Sequence, residues 1–173
     1  RTRIERNVWL VGLWLTLMAQ GGLAQECNDA VRATAPDSRY TDHGNGTVTD
    51  METGLMWKKC LQGRIGSDCS TVGATEHHTW RDALLVAESE SYASYSDWRL
   101  PNINELASLV ELRCYDLAIN ETIFPNTVSL FYWSSSPNVN SSDGAWSLNF
   151  RNGRVIHSDG SDYRYVRLVR GGQ

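Results

Sequence analysis

The chain lacks the signatures of the common catalytic classes. It holds no nucleophile elbow, no phosphate-binding loop and no zinc-protease helix. Its acids are scattered, and no two carboxylates are spaced for paired acid–base work. There is no internal repeat and no long low-complexity stretch. No cysteine follows Cys114. Nor is there an apolar run of the roughly 20 residues needed to cross a bilayer core of about 30 Å. Val8 to Met18 comes nearest, and Gln20, Gly21 and Gly22 cut it short.

What precedes and follows that run explains it. Arg1, Arg3 and Arg6 form a charged n-region, Val8 to Met18 an h-region, and Ala19-Gln20-Gly21-Gly22-Leu23-Ala24 a small-residue cleavage site. A signal peptide is therefore expected over residues 1–24, with cleavage before Gln25. The competing reading is an uncleaved anchor. Cys27 lacks the small residue before it that a lipoprotein signal needs. An exported protein is expected, whether periplasmic, cell-surface or secreted, with a lead-in over residues 25–38 and one folded domain over 39–173.

Residues 1–24 carry three arginines and one glutamate of the chain's 16 basic and 20 acidic residues, which leaves 13 and 19, a net of −6. That balance excludes general nucleic-acid binding. The charge is uneven, however. From Gly144 onward five arginines (151, 154, 164, 167, 170) face Asp159 and Asp162, a local +3 where an anionic partner could be held.

Four cysteines in an exported chain read as two disulfides. Of the three pairings, Cys60–Cys69 closes a short Gly/Ser-rich loop, and Cys27–Cys114 then ties the lead-in to the domain. Chain entropy gives roughly 3 and 4.5 kcal/mol for the two. A metal site is the rival, but Cys-x8-Cys is not tight zinc spacing, and the adjacent His77 and His78 cannot easily reach one ion. No metal and no cofactor is expected. Asp42, Asn45 and Asp50 lack the alternation and closing Glu of a calcium loop and read as turn chemistry.

Short β-branched or apolar runs separated by Asn45-Gly46 and Thr53-Gly54 predict strands and tight turns over Tyr40 to Lys59. Thr79 caps a first helix whose apolar stripe is Trp80, Ala83, Leu84 and Ala87. Asn102 and Glu105 open a second, expected to run on through Leu109 and Val110 and end near Cys114. Tyr132 to Ser135 reads as a strand entering a Ser/Asn-rich loop over 136–144. Trp146, Leu148 and Phe150 alternate with Ser147 and Asn149 as a half-buried strand. Asn152-Gly153 predicts a two-residue type I′ hairpin, with Val155-Ile156-His157 as partner. Tyr163 to Val169 closes the domain as one strand. The fold class is α+β: two helices, antiparallel strands and hairpins.

Five phrases stand in an order that resembles one family: Asn45-Gly46-Thr47-Val48-Thr49-Asp50, Thr53-Gly54-Leu55-Met56-Trp57, Ser96-Asp97-Trp98-Arg99-Leu100-Pro101-Asn102, Tyr132-Trp133-Ser134-Ser135-Ser136 and Tyr165-Val166-Arg167-Leu168-Val169-Arg170-Gly171-Gly172. The chain is similar to the Lcl C-terminal domain family, bacterial domains named for a collagen-like adhesin, over about residues 38–172. The resemblance implies a C-type-lectin-like fold, a surface or periplasmic role, and adhesion through sulfated glycans as in the adhesin member. The adhesin's collagen-like repeats are missing here, so its multivalent adhesion is not implied. Arg99-Leu100-Pro101 with Glu105, and Val169-Arg170-Gly171-Gly172, also resemble the formylglycine-generating sulfatase-modifying enzymes. Those rely on a late cysteine pair that this chain does not have.

Two groups of residues are candidates for binding. Trp133 and Trp146, with Tyr132, can stack on sugar rings while Asn138, Asn140 and Asp143 take hydroxyl hydrogen bonds. Arg151 and Arg154 flank the expected two-residue turn, where cross-strand repulsion would be relieved by a sulfate or carboxylate. Against this, tryptophans dominate small cores, and hairpin-tip arginines are commonly solvated. Arg99 and Arg167 are candidates for structural pairing with Asp97 or Glu105. The reading that results is a non-catalytic binding domain for a glycan or sulfated polysaccharide, with oligomerisation left open. Its alternatives are an oxidoreductase-type enzyme related to the formylglycine-generating class and a protein–protein assembly module.

Overall fold

The computed structural model describes residues 25–140 and 143–171. The leader expected over residues 1–24 lies outside the described residues, as do Ser141 and Ser142 of the Ser/Asn-rich loop.

In chain order the strands are β1 (Glu26–Cys27), β2 (Tyr40–Asp42), β3 (Thr47–Asp50), β4 (Met56–Lys58), β5 (Arg64–Ile65), β6 (Thr71–Val72) and β7 (His77–His78). Then come helices α1 (Trp80–Ser89) and α2 (Ile103–Ala107). The remaining strands are β8 (Cys114–Tyr115), β9 (Phe131–Pro137), β10 (Ala145–Asn149), β11 (Arg154–Ser158), β12 (Arg164–Tyr165) and β13 (Val169–Arg170). They assemble as a five-stranded sheet, β11-β10-β9-β12-β7, a four-stranded sheet, β13-β4-β3-β2, and two ribbons, β1-β8 and β5-β6. This is an α+β fold with mostly antiparallel pairing.

The five-stranded sheet is covered on both faces, and strand alternation explains how. Tyr132 of β9 points into one apolar cluster with Leu148, Phe150, Tyr165 and Leu106 of α2. Its neighbour Trp133 points into the other, with Ala83 and Ala87 of α1, Trp98 and Leu168. The Tyr132 ring sits edge-on to Phe150 at 4.9 Å and stacks on Tyr165 at 5.4 Å, contacts worth about 1 kcal/mol each beyond area burial. Both expected disulfides form, Cys27–Cys114 and Cys60–Cys69.

Both helix starts follow local chemistry. The Thr79 side chain accepts from the Asp82 amide, and Asn102 with Glu105 completes a capping box. The second helix is shorter than its apolar spacing predicts. After Ala107 the chain tightens, with Leu109 donating to Leu106 and Val110 to Ala107, and the Glu111 amide then turns to the carbonyl of Ala118. Glu111 leaves the helix because its buried carboxylate serves the lead-in, accepting from the amides of Thr34, Ala35 and Arg113. Cys114 therefore lies in β8, paired with β1, and its disulfide pins a ribbon rather than a helix end.

Three further expectations change. Residues 163–169 do not form one strand: β12 belongs to the larger sheet and β13 to the smaller, and between them Val166 and Leu168 carbonyls accept from Gln62 and Lys58. The β10–β11 connection is not a two-residue turn. Asn149 pairs with Arg154, the Gly153 amide closes on the Asn149 carbonyl at 2.8 Å, and only Gly153 (φ +74°) is left-handed. A type I′ turn needs positive φ at both centres, so Asn152-Gly153 makes a four-residue loop closed by glycine instead. Finally, a register shift between Ala145 and Ser147 breaks the expected alternation in β10. Ser147 is fully buried, bonded to Ser158, while Trp146 is half-buried.

Candidate functional site

The aromatic candidates separate once folded. Trp133 is completely buried, and its indole N–H donates to the His78 carbonyl at 2.8 Å. It is core, and the expectation that it stacks on a ligand is corrected. Tyr132 is equally buried; its hydroxyl accepts from the Val128 amide, and burial pushes its pKa up to about 12. Trp146 alone of the three stays at the surface, with the exposed His157 ring edge-on at 6.5 Å.

The Ser/Asn-rich loop begins beside that tryptophan. Its base is closed by the Asn138 amide donating to the Gly144 carbonyl, and the Asn138 side chain accepts from the Asn140 amide. Asn140 and Asp143 are exposed. Gly144 permits the close approach of the two parts: a Cβ there would stand 2.2 Å from His157 Nε2. Trp146, His157, Asn138, Asn140 and Asp143 thus share one neighbourhood.

The arginine candidates are elsewhere. Arg154 pairs with Asn149, three residues along β10 from Trp146, or about 10 Å at strand rise. An odd spacing also places it on the opposite face from Trp146. Arg151 does not face Arg154 across the turn. Its Nε donates to Asp116 at 2.7 Å, with the side chain still 60% exposed. The expected cross-strand repulsion is therefore absent, and the two arginines with Asp116 leave the tip at +1.

The other charges serve the frame. Arg99 forms a two-pronged pair with Glu105 at 2.7 and 2.8 Å, as its sequence position suggested. Burial raises the Glu105 carboxyl, but Arg99 and the Asn102 amide outweigh it and hold it below the usual range. Asp97 pairs with Arg170, whose guanidinium lies 3.8 Å from the Tyr95 ring centroid. Arg167 is fully buried without a carboxylate: it donates to the carbonyls of Lys58 and Lys59 and to Thr127 Oγ1. Burial pulls its pKa down to about 10. All four cysteines are bonded, and no group of three metal-ligating side chains occurs among the described residues.

One cleft escaped the reading of the sequence. It lies between α1, the segment Trp98 to Asn102, and β9, with a volume of about 500 Å³. Nothing in the sequence marked it: Leu84, expected in the buried stripe of α1, is 38% exposed at its rim.

The fold is that of a disulfide-stapled α+β domain whose ionic pairs hold structure. A family model described as the Lcl C-terminal domain matches residues 46–170, well over half of the chain, and the protein belongs to that family. Comparison with curated proteins finds none that matches.

Proposed function

We propose that this protein is an exported, non-catalytic binding domain that recognises glycans, including anionic polysaccharide, at the cell surface or in the periplasm. The observation that carries the reading is the surface at Trp146: a half-buried indole, an imidazole beside it, and a loop of Asn138, Asn140 and Asp143 at its rim. A flat aromatic face next to hydroxyl-bonding groups is the chemistry a sugar ring requires. The basic hairpin tip, about 10 Å along the strand and on the other sheet face, is a separate place for an anionic group. Two disulfides and a chain in which no described helix is long and apolar enough to cross a membrane are compatible with export.

The test is a glycan array probed with wild type, Trp146→Ala and the double variant Arg151→Ala/Arg154→Ala. Loss of signal in Trp146→Ala, with selective loss of sulfated ligands in the double variant, is the expected outcome. A silent array for wild type removes the reading. A thiol-dependent oxidoreductase is disfavoured by the pairing of every cysteine. The assembly-module reading draws on one observation, that β11 forms an outer edge of its sheet with Val155 partly exposed.

A further inference from the structure

The cleft beside α1 is a second place where a ligand could be held, away from Trp146 and the hairpin. Its volume of about 500 Å³ falls within the range of small-molecule sites. Leu84, Ala87, Trp98 and Leu100 supply an apolar side. Leu84 presents it to solvent, whereas Ala87, Trp98 and Leu100 are buried behind.

The polar side is built rigidly. Asn102 is fixed by the capping box, its Oδ1 accepting from the Glu105 amide. Arg99 is fixed by both Glu105 oxygens and by the Gly171 carbonyl. That ion pair neutralises itself within the wall. What remains available among the described residues is the Nδ2 of Asn102, the hydroxyl of Ser135 and the Glu88 carboxylate, all on the lining and none with a bonded partner. The unbalanced charge of the lining is therefore a single negative one at Glu88. Two of the phrases that carry the family resemblance, around Trp98-Arg99-Leu100 and Ser134-Ser135-Ser136, meet at this cleft.

We propose that the cleft binds an amine-bearing pyranose ring, the hexosamine unit of a carbohydrate. The ring's C–H face lies on Leu84, its hydroxyls meet Asn102 and Ser135, and its protonated amine faces Glu88. The anionic hairpin tip partner is excluded here by charge. This inference rests on the reading of the protein as a glycan binder, but on different residues.

The test is calorimetric titration of the mature protein, at about pH 6, with a glucosamine tetramer and its fully N-acetylated counterpart. The amine-bearing tetramer is expected to bind about five-fold more tightly, the range of one semi-exposed ion pair. Glu88→Gln removes that preference. Leu84→Arg, at an exposed position, blocks the cleft and weakens binding about ten-fold or more while leaving the circular dichroism spectrum unchanged. Arg151→Ala/Arg154→Ala and Trp146→Ala leave it unaltered. Equal affinity for the two tetramers, or binding indifferent to Leu84→Arg, overturns the proposal. If the tetramer binds through the cleft while the array is indifferent to Trp146, the reading of the Trp146 surface fails and this one stands. An array signal lost in Trp146→Ala without tetramer binding has the opposite meaning.

Discussion

Replacing Arg39 by alanine tests how the lead-in is held. Arg39 and Asp50 form a buried two-pronged pair, Nε to Oδ1 at 2.7 Å and a terminal nitrogen to Oδ2 at 2.5 Å, with side-chain exposures of 7% and 0%. Asp50 has two other donors, the Glu52 amide at 3.0 Å and the Thr53 hydroxyl at 2.7 Å. Arg39→Ala strips the carboxylate of its counter-charge and half its bonds while leaving it buried, at a cost of about 3–5 kcal/mol. Out of a total of about 5–15 kcal/mol, that is a large fraction. Burial raises the Asp50 carboxyl, and Arg39, Thr53 and the Glu52 amide together overcome it and hold it below the ordinary value. A carboxyl lowered on folding contributes fully above its unfolded pKa of about 4, and the contribution drains as pH falls through the lower, folded value. In Arg39→Ala the largest opposition to burial is gone and only the Thr53 and Glu52 bonds remain, so Asp50 takes up a proton at higher pH. The difference between wild type and variant should therefore shrink by about 1–2 kcal/mol between pH 7 and about pH 4. Urea unfolding followed by tryptophan fluorescence, with disulfides oxidised, measures it at each pH. A difference that does not change with pH, or a cost under about 1 kcal/mol at pH 7, refutes the argument. The double variant Arg39→Met/Asp50→Leu should recover most of the loss, since it leaves no orphan charge.

Other outcomes follow from the same geometry. Trp133→Ala should cost about 3–5 kcal/mol in urea unfolding, whereas Trp146→Ala should cost much less and act on ligand binding. Replacing Cys27 and Cys114 by serine should lower stability by up to about 4.5 kcal/mol and, in limited proteolysis, expose residues 25–38 to cleavage before the rest. Glu111→Gln should release the same segment through weaker bonds to Thr34 and Ala35, detectable as faster amide exchange at those two residues. Gly144→Ala should displace His157 or the loop, read as shifted imidazole signals in NMR with the fold retained.

Much of the frame was legible because its causes are local or covalent. Thr79 and Asn102 cap helices through bonds to residues three positions on. Cys60 and Cys69 are close in sequence, and once they pair Cys27 has only Cys114. Arg99 and Glu105 flank a helix start and meet across one turn. The family phrases likewise lie in short continuous runs.

Where the reading changed, a distant residue decided. The second helix stops because Glu111 is claimed by Thr34 and Ala35, some 76 residues earlier. Arg167 finds main-chain carbonyls and Thr127 rather than the carboxylates suggested by sequence, because it is buried where β4 ends. Arg151 finds Asp116 instead of repelling Arg154. Trp133 and Trp146 are similar in the sequence, each in an apolar run beside serines. Only the packing of α1 on one sheet face and the shift in β10 bury the first and leave the second at the surface. By itself the sequence determined the fold class, the disulfides, the helix caps and the family, through local bonding, a short cysteine loop that leaves one partner for Cys27, and phrases in continuous runs. Which aromatic ring meets solvent, which arginine is already paired and where a cleft opens were decided by tertiary structure, because burial and charge pairing depend on what the folded chain brings from far away.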